Sequence, residues 1–228
     1  MKYVRDIPLK VFVDSYHRAV DEDLAVLRRS NEEEDVPLIF TETEEILGLL
    51  IGLTRPERIL EIGTAHGYSS LFFAKKLPDA QITTIERNPV MIEAAKAEFA
   101  SRKEGERIEF RTGDALDILD ELVEKLSDAD ESEKFDFVFI DAAKSHYREF
   151  LEAAEKICTG DALIVCDNIL LNGWIVQAEG SEAKRHRTSI KYMKKFLDYL
   201  NQRDDLEVSI LTGADGLVII RFLNNDQR

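Results

Sequence analysis

The sequence predicts a single α/β domain in which a mostly parallel β-sheet carries helices on both faces. Two observations lead to this prediction. From Arg58 onward, apolar segments of strand length alternate with helical segments, which is typical of a parallel sheet with helical crossovers. Near the C-terminus, two further strand-like runs flank a short glycine-containing connection. With 228 residues, of which 44% are hydrophobic, the chain can bury one such domain but hardly two.

Residues 1–54 are predicted to form an N-terminal helical cap, and residues 55–228 the core of the same domain. Helical periodicity over residues 14–30 places Tyr16, Val20, Leu24 and Leu27 on one face. A second helix is expected to begin at Thr41, with Glu44 completing a capping box. The apolar face of this second helix would comprise Ile46, Leu49, Leu50 and Leu53.

The core is predicted to contain parallel strands at residues 59–62, 82–85, 108–110, 135–140 and 162–166. Helices are expected at residues 68–77, 89–102, 115–126, 145–157 and 188–200. The last strands, at residues 206–211 and 216–222, are joined through Gly213-Ala214-Asp215-Gly216, a hairpin-type connection that makes the final strand antiparallel. Parallel strands closed by such a hairpin have the arrangement of the Rossmann-like class I methyltransferase sheet, which differs from a six-stranded parallel dinucleotide fold.

Composition restricts the partners of the chain. Its 45 acidic and 30 basic side chains give a formal charge of −15 and a pI near 4.8, and such a charge on average repels nucleic acids and anionic membranes. No apolar run approaches membrane-spanning length, so we expect a cytoplasmic protein with no membrane partner. Cys158 and Cys166 show no metal or redox spacing and are expected to be buried thiols.

A glycine-containing loop, Glu61-Ile62-Gly63-Thr64-Ala65-His66-Gly67, is expected to leave the first strand and enter a helix. Its glycines permit a tight turn and close approach of a ligand. The dinucleotide fingerprint is G-x-G-x-x-G, whereas this loop has G-x-x-x-G, which disfavours a bound pyrophosphate. S-adenosylmethionine has no phosphate and does not need that site.

Acidic residues follow the next two strands. Glu86 ends the second strand, where a carboxylate accepts hydrogen bonds from ribose hydroxyls. In Gly113-Asp114-Ala115, after the third strand, the carboxylate can meet the adenine amino group. The loop alone is equally well explained as a glycine turn beside a solvated glutamate, but the three features at successive strand ends together favour a nucleoside cofactor.

Two carboxylates and an amide follow the fourth and fifth strands. Asp141 ends one strand, Asp167 and Asn168 end the next, and the two ends are expected to adjoin. Each residue alone is more simply a helix cap. Together they are hard oxygen ligands suited to Mg²⁺. Lys144 is by default a solvated lysine, but beside a divalent cation its pKa would fall and make it a candidate general base.

The segment from Lys184 to Lys195 contains six lysines and arginines and no acidic residue. The simplest interpretation is a solvated helix face in an acidic protein. Because the segment follows the loop that carries Trp174, which should border the substrate entrance, Arg185, Arg187 and Lys191 are also candidates for contacts with nucleic-acid phosphates. Trp174 and Tyr147 are candidates for stacking on a flipped base, although either side chain can simply be packing.

The motifs ILEIGTAHGYSS, TIERN, GDAL, FIDAAKSHY, DNIL and GADGL resemble those of the cation-dependent O-methyltransferase family that includes catechol and caffeoyl-CoA O-methyltransferases. The sequence is most similar to the bacterial tRNA 5-hydroxyuridine methyltransferase branch, from which it departs at His66, where an apolar residue is usual and where we expect a structural role. The resemblance covers the chain from about Val36 to the C-terminus. It implies a homodimer.

The resemblance also implies roles for individual residues. Asp141, Asp167 and Asn168 would hold Mg²⁺, Lys144 and Asp141 would act in catalysis, and the segment around Ile39 would close over the methionine end of S-adenosylmethionine. The residues that would contact this cofactor are Ile39, Thr41, Glu61, Gly63, Ser69, Glu86, Gly113, Asp114, Ala115 and Asp141.

The sequence therefore predicts a Mg²⁺- and S-adenosylmethionine-dependent O-methyltransferase, with 5-hydroxyuridine at the tRNA wobble position as the expected acceptor. The alternative is a small molecule with two neighbouring oxygens, such as a catechol or a hydroxycinnamoyl-CoA. A dinucleotide-dependent oxidoreductase is disfavoured by the missing glycine and by the oxygen ligands. A non-catalytic nucleotide-binding module is disfavoured by the complete set of Asp141, Lys144, Asp167 and Asn168.

Overall fold

The computed structural model describes residue 12 and residues 15–176 and 185–223. Residue 14, the expected start of the first helix, and Lys184 of the basic segment lie outside these ranges. No helix in the described ranges is long and apolar enough to cross a membrane.

The first helix begins later than periodicity suggested. Helix α1 spans Glu22–Glu33 and begins at Asp21, whose side chain accepts a hydrogen bond of 2.9 Å from the Leu24 amide. This cap begins the helix at Asp21, and residues 15–20 before it are not helical, so the helix predicted over residues 14–30 is wrong for those described residues. Leu24 and Leu27 are buried as predicted, whereas Tyr16 and Val20 are exposed and lie outside the helix.

Helix α2 spans Thr41–Thr54, as predicted, but presents a different face to the core. Its N-cap residue is Phe40, which provides no side-chain cap. Glu44 is buried and contacts Arg28 instead of closing a capping box. With Glu44 facing inward, Leu47 and Ile51 are buried on the same side, and Leu49 and Leu53 are 63% and 73% exposed. The predicted apolar face was therefore wrong for Leu49 and Leu53.

The remaining strands and helices agree closely with the predicted alternation. Their bounds are β1 (Arg58–Ile62), α3 (Tyr68–Lys76), β2 (Gln81–Glu86), α4 (Pro89–Ala100), β3 (Ile108–Thr112), α5 (Ala115–Leu126), β4 (Phe135–Ile140), α6 (Tyr147–Ile157), β5 (Cys158–Cys166), α7 (Arg187–Asn201), β6 (Leu206–Leu211) and β7 (Leu217–Phe222). Short 3₁₀ turns lie at Lys103–Arg107, Glu131–Glu133, Lys144–His146 and Leu171–Val176.

The seven strands form one sheet in the order β3-β2-β1-β4-β5-β7-β6. Strands β1 to β5 are parallel, and β7 runs antiparallel between β5 and β6. The predicted α/β class and the antiparallel closing strand are confirmed. The strand order reverses between β1 and β4, and ligands of open α/β sheets bind at the carboxyl ends of the strands beside such a reversal.

The sheet separates two apolar clusters. Alternate residues of the central strands point to opposite faces, so Leu60 and Val138 pack with α5, α6 and α7, whereas Ile59 and Phe137 pack with α1 to α4. The two N-terminal helices therefore rest on the same face as α3 and α4. This placement puts the segment between α1 and α2 near the loop that follows β1.

Candidate functional site

A cavity of about 430 Å³ opens at the carboxyl ends of the parallel strands. Its wall includes residues that follow β1, β2, β3 and β4, together with the segment between α1 and α2. Among the predicted cofactor residues, those that lie on this wall are Ile39, Gly63, Ser69, Glu86, Gly113, Asp114, Ala115 and Asp141. Residues from four separate strand ends therefore converge on one space.

The loop after β1 packs closely on the end of β4. Gly63 has a φ of 107°, and a Cβ at this position would lie 2.1 Å from the carbonyl oxygen of Asp141. Gly67 has a φ of 85°, and its Cβ would lie 2.5 Å from the ring of Phe99. Neither position accepts a side chain without displacement of its neighbours. Both glycines of the loop are thus required by its fold.

Glu86 is held rigidly at the end of β2. Its carboxylate accepts hydrogen bonds from the amides of Ala65 at 3.0 Å, Arg87 at 2.9 Å and Asn88 at 2.8 Å. Because the carboxylate is on the cavity wall and each oxygen has further lone pairs, it can still accept hydrogen bonds from a diol in the cavity. The same contacts fix the loop to the end of β2.

Asp114 is both a helix cap and part of the cavity wall. Its side chain accepts a hydrogen bond from the Leu116 amide at 3.0 Å and lies 3.0 Å from the Arg87 guanidinium. The Leu116 amide, followed by Arg87, holds the pKa of Asp114 below its ordinary value. Asp114 is therefore a charged hydrogen-bond acceptor in the part of the cavity wall that follows β3.

Two of the predicted cofactor residues are not on the cavity wall. Thr41 begins α2, outside the lining residues. Glu61 is fully buried beneath the loop, because it pairs in the sheet with Thr84 of β2 and points toward that neighbour. It accepts hydrogen bonds from the hydroxyls of Thr84, at 2.6 Å, and Ser70. Burial raises the pKa of Glu61 to about 7, although these hydroxyls and that of Ser69 act to lower it.

Lys144 lies at the centre of the second cluster. Its ammonium nitrogen is 2.8 Å from Asp141 Oδ1, 3.1 Å from Asn168 Oδ1 and 2.6 Å from the Tyr147 hydroxyl. Asp141 and Asn168 both lie on the cavity wall. The ammonium therefore bridges the ends of β4 and β5 at the edge of the cofactor cavity, where the sequence predicted a catalytic cluster.

Asp167 is fully buried next to this cluster. Its Oδ1 accepts a hydrogen bond of 2.6 Å from the Asn168 amide, and its Oδ2 has no hydrogen-bond partner among the described residues. Burial, followed by the charge of Asp141, raises the pKa of Asp167 well above its ordinary value. A buried carboxylate oxygen without a partner is costly, and a cation would compensate it.

The chemistry of these donors fits a divalent cation. Asp141, Asp167 and Asn168 supply two carboxylates and an amide oxygen, which are the hard ligands that Mg²⁺ prefers. No group of three or more His, Cys, Asp or Glu side chains in the described ranges is arranged to hold a metal. The predicted trio includes only two such side chains, and the Lys144 ammonium supplies the positive charge between Asp141 and Asn168.

The basic segment lies beside the second cluster but not in the cavity. Helix α7 packs against the turns at Lys144–His146 and Leu171–Val176. Arg185, Arg187 and Lys191 are exposed and are not cavity-lining residues. Trp174 is stacked on His186, with ring centroids 4.0 Å apart and planes 16° from parallel, so one face of its indole is covered.

Tyr147 cannot stack on a base, and this prediction is wrong. The residue is 1% exposed and packs edge-to-face on Phe196. Its hydroxyl donates a hydrogen bond of 2.9 Å to the Asp167 carbonyl and contacts Lys144. Because Tyr147 begins α6 directly after the Lys144–His146 turn, its ring is directed into the core while its hydroxyl reaches the cluster.

Sequence reasoning missed several residues on or behind the cavity wall. Tyr68 and His146 line it, and Arg28 lies behind it. His66 also lies on the cavity wall and contacts Asn31 Oδ1 through Nδ1 at 3.3 Å. The local pattern gave no signal for Arg28, because its partners are distant in sequence.

Comparisons with known proteins agree with this geometry. A family model described as O-methyltransferase matches residues 16–223. The chain is 32% identical over 166 residues to a catechol O-methyltransferase of Niastella koreensis, covering 71% of this chain and 73% of that protein. It is 31% identical over 207 residues to caffeoyl-CoA O-methyltransferase 2 of Zea mays, covering 88% of this chain and 76% of that protein.

Two solved structures are also similar. The O-methyltransferase TomG of Streptomyces achromogenes, in complex with SAM, has a TM-score of 0.78 and 29% identity, covering 95% of this chain and 96% of that chain. An O-methyltransferase of Bacillus cereus, in complex with SAH, has a TM-score of 0.78 and 24% identity. The match covers 95% of this chain and 97% of that chain and shows the shared fold.

The buried Glu61 carboxyl generates a pH-dependent prediction. Its pKa of about 7 in the folded protein exceeds the ordinary value of 4.5, so the folded state binds a proton that the unfolded state has lost. The free energy of unfolding should therefore fall as pH rises from 4.5 to 7, by on the order of 3 kcal/mol from this group. Glu61→Gln, measured by urea unfolding across this range, should remove that part of the slope.

Glu124→Gln, at an exposed position on α5, is the matched control and should leave the slope unchanged. An identical pH dependence in wild type and in Glu61→Gln would contradict the raised pKa.

Proposed function

Since this chain belongs to the O-methyltransferase family, we propose that it transfers the methyl group of S-adenosylmethionine to a hydroxyl of a small molecule with two neighbouring oxygens. Catechols and hydroxycinnamoyl-CoA esters are such molecules. The observation that carries the proposal is the position of Asp141, which lies on the wall of the cofactor cavity and also contacts Lys144. The methyl donor and the acceptor hydroxyl would thus meet at one residue.

The cavity suits the three parts of S-adenosylmethionine. Glu86 would accept hydrogen bonds from the ribose diol, and Asp114 would accept one from the adenine amino group. Ser69 and Ile39 line the wall and would enclose the methionine end. The cofactor has no phosphate, so the loop does not need the glycine that lets the backbone approach a pyrophosphate in the dinucleotide fingerprint. The SAM complex of the similar protein TomG supports this choice.

Asp141, Asp167 and Asn168 would hold a divalent cation such as Mg²⁺. When bound, this cation would lower the pKa of the acceptor hydroxyl, as bound cations do for coordinated oxygens. The Oδ2 of Asp167 has no hydrogen-bond partner among the described residues, which supports the proposal because a cation would satisfy it.

Lys144 would guide the proton that leaves the acceptor oxygen. Its ammonium is fixed by the Tyr147 hydroxyl and by Asp141, so it points to the place where the acceptor would lie beside the cavity. The acceptor oxygen would attack the sulfonium methyl in line, and much of the rate enhancement would come from holding the two reactants in this geometry.

Lys144→Met tests this role. We expect kcat to fall roughly 100-fold, because the variant keeps the length of the side chain but cannot bind or release the proton. The dissociation constant for S-adenosylmethionine, measured by calorimetry, should change little because Lys144 is not on the cavity wall. Lys156→Met, on the exposed side of α6, is the matched control. A wild-type kcat in Lys144→Met would contradict the role, and full activity in EDTA would contradict the cation.

Transfer to 5-hydroxyuridine in tRNA is the second candidate. The observation in its favour is the exposed basic face of α7 beside the Lys144–His146 turn, in a chain with a net charge of −15. The relatives named above are catechol and caffeoyl-CoA enzymes, and they support the small acceptor more strongly than tRNA.

A parallel assay separates the two acceptors. The protein would be incubated with S-adenosylmethionine, Mg²⁺ and either a catechol, caffeoyl-CoA or 5-hydroxyuridine tRNA, and products detected by mass spectrometry. We expect methylation of a small acceptor, unchanged in Arg187→Glu/Lys191→Glu for an uncharged catechol. Methylation of tRNA alone, lost in this charge-reversed variant and weakened at least about 10-fold by 200 mM salt, would instead establish the second candidate.

A homodimer is the remaining part of the proposal. Leu49 and Leu53 lie one turn apart on the outer face of α2 and are largely exposed, and a second copy that covered them would remove apolar area from water. Light scattering should give twice the mass of the 26.0 kDa chain. Leu49→Glu/Leu53→Glu should give the monomer, and a monomeric wild type would contradict this assembly.

A further inference from the structure

The proposed chemistry leaves one buried ion pair without a role. Arg28 of α1 is 8% exposed and Glu44 of α2 is 2% exposed, and the two side chains are in direct contact. Glu44 also accepts a hydrogen bond of 2.7 Å from the Tyr68 hydroxyl and lies 3.5 Å from His17. Such a pair loses its hydration on folding and is weak evidence for stability, so its geometry calls for another explanation.

The Arg28 guanidinium connects three separate parts of the chain. Besides Glu44, it donates a hydrogen bond of 3.1 Å to the carbonyl of Ile39 and one of 3.2 Å to the Tyr68 hydroxyl. Its carbon also lies 4.7 Å from the centre of the Tyr68 ring. A planar guanidinium with several fixed donors can make these contacts at once, whereas a lysine cannot.

Two of these partners belong to the cofactor cavity. Ile39 comes from the segment between α1 and α2, and Tyr68 directly follows Gly67 of the loop, so they are on different parts of the wall. Asn31 of α1 makes a second connection of this kind. Its side chain contacts His66 of the loop at 3.3 Å, and its backbone carbonyl accepts a hydrogen bond of 2.8 Å from the Val36 amide. Helix α1 therefore holds both the segment and the loop.

We propose that Arg28 is a positioning residue for cofactor binding, which fixes the segment containing Ile39 against the loop at Tyr68 and so shapes the cavity before S-adenosylmethionine enters. It touches neither the cofactor nor the acceptor. The proposal rests on the proposed function, because it assigns Arg28 to the same cavity. A cavity wall that is fixed in advance binds without the cost of ordering the segment.

Two variants separate positioning from stability. Arg28→Lys keeps the charge beside Glu44 but loses the planar set of donors. Arg28→Met/Glu44→Leu replaces the ion pair by apolar side chains of similar volume, an exchange that commonly leaves stability unchanged or increases it. Arg29→Met, at the next and exposed residue of α1, is the matched control.

The measurements are the melting temperature, the calorimetric Kd for S-adenosylmethionine, and the KM and kcat of methyl transfer. We expect Kd and KM for S-adenosylmethionine to rise about 10-fold in both variants, with kcat at saturation within about 3-fold of wild type. Arg28→Met/Glu44→Leu should show the raised Kd and KM with nearly unchanged kcat even when its melting temperature equals that of wild type. A merely structural role would not produce that combination. Arg29→Met should match wild type throughout.

A folded Arg28→Met/Glu44→Leu variant with the wild-type Kd would overturn the proposal. If that variant did not fold, a wild-type Kd for S-adenosylmethionine in Arg28→Lys would overturn the proposal instead. Wild-type protein that failed to bind S-adenosylmethionine would contradict the proposed function itself, which distinguishes the two failures.

Discussion

The close approach of the loop after β1 to the end of β4 determines the rest of the site. Gly63 leaves no room for a Cβ beside the Asp141 carbonyl, and the Asp141 amide donates a hydrogen bond of 2.9 Å to Ile62. This packing joins the wall of the cofactor cavity to the cluster around Lys144. The cavity and the cluster adjoin because β1 and β4 are neighbours in the sheet, although 79 residues separate Ile62 from Asp141.

Glu61, Glu44 and Asp167 are buried carboxylates near this contact, and their hydrogen-bond partners differ. Glu61 accepts hydrogen bonds from two hydroxyls at Oε2, while its Oε1 has no hydrogen-bond partner among the described residues. Glu44 faces the Arg28 guanidinium in a direct ion pair. Asp167 has an oxygen without a partner among the described residues. An unpartnered oxygen therefore does not separate Glu61 from Asp167, but position does. Asp167 directly precedes Asn168 of the Lys144 cluster, which suits a ligand, whereas Glu61 lies beneath the loop and Glu44 connects two helices.

The sequence predicted the fold and the strand-end residues because both follow from the apolar pattern. Once each strand ends at a known residue, Glu86, Asp114, Asp141 and Asn168 must share the carboxyl edge of a parallel sheet. Sequence position does not reveal side-chain direction, so it left Tyr147 open between stacking on a base and packing in the core. The resemblance that assigned Glu61 to the cofactor likewise did not indicate that its side chain lies beneath the loop. The roles of Glu44 and Arg28 depend on tertiary contacts, since Arg28 and Tyr68 are 40 residues apart, and a local capping pattern was the only signal at Glu44.

In the proposed site, the methyl donor lies next to the cluster of Asp141, Asp167 and Asn168. A crystal structure with S-adenosylhomocysteine and Mn²⁺, collected for anomalous scattering, tests it most directly. We expect the ribose to lie on Glu86, the sulfur to lie beside Asp141, and one anomalous peak to be bound by the two aspartates and the asparagine. Cofactor density outside the cavity, or a peak at other residues with this cluster metal-free, would contradict it.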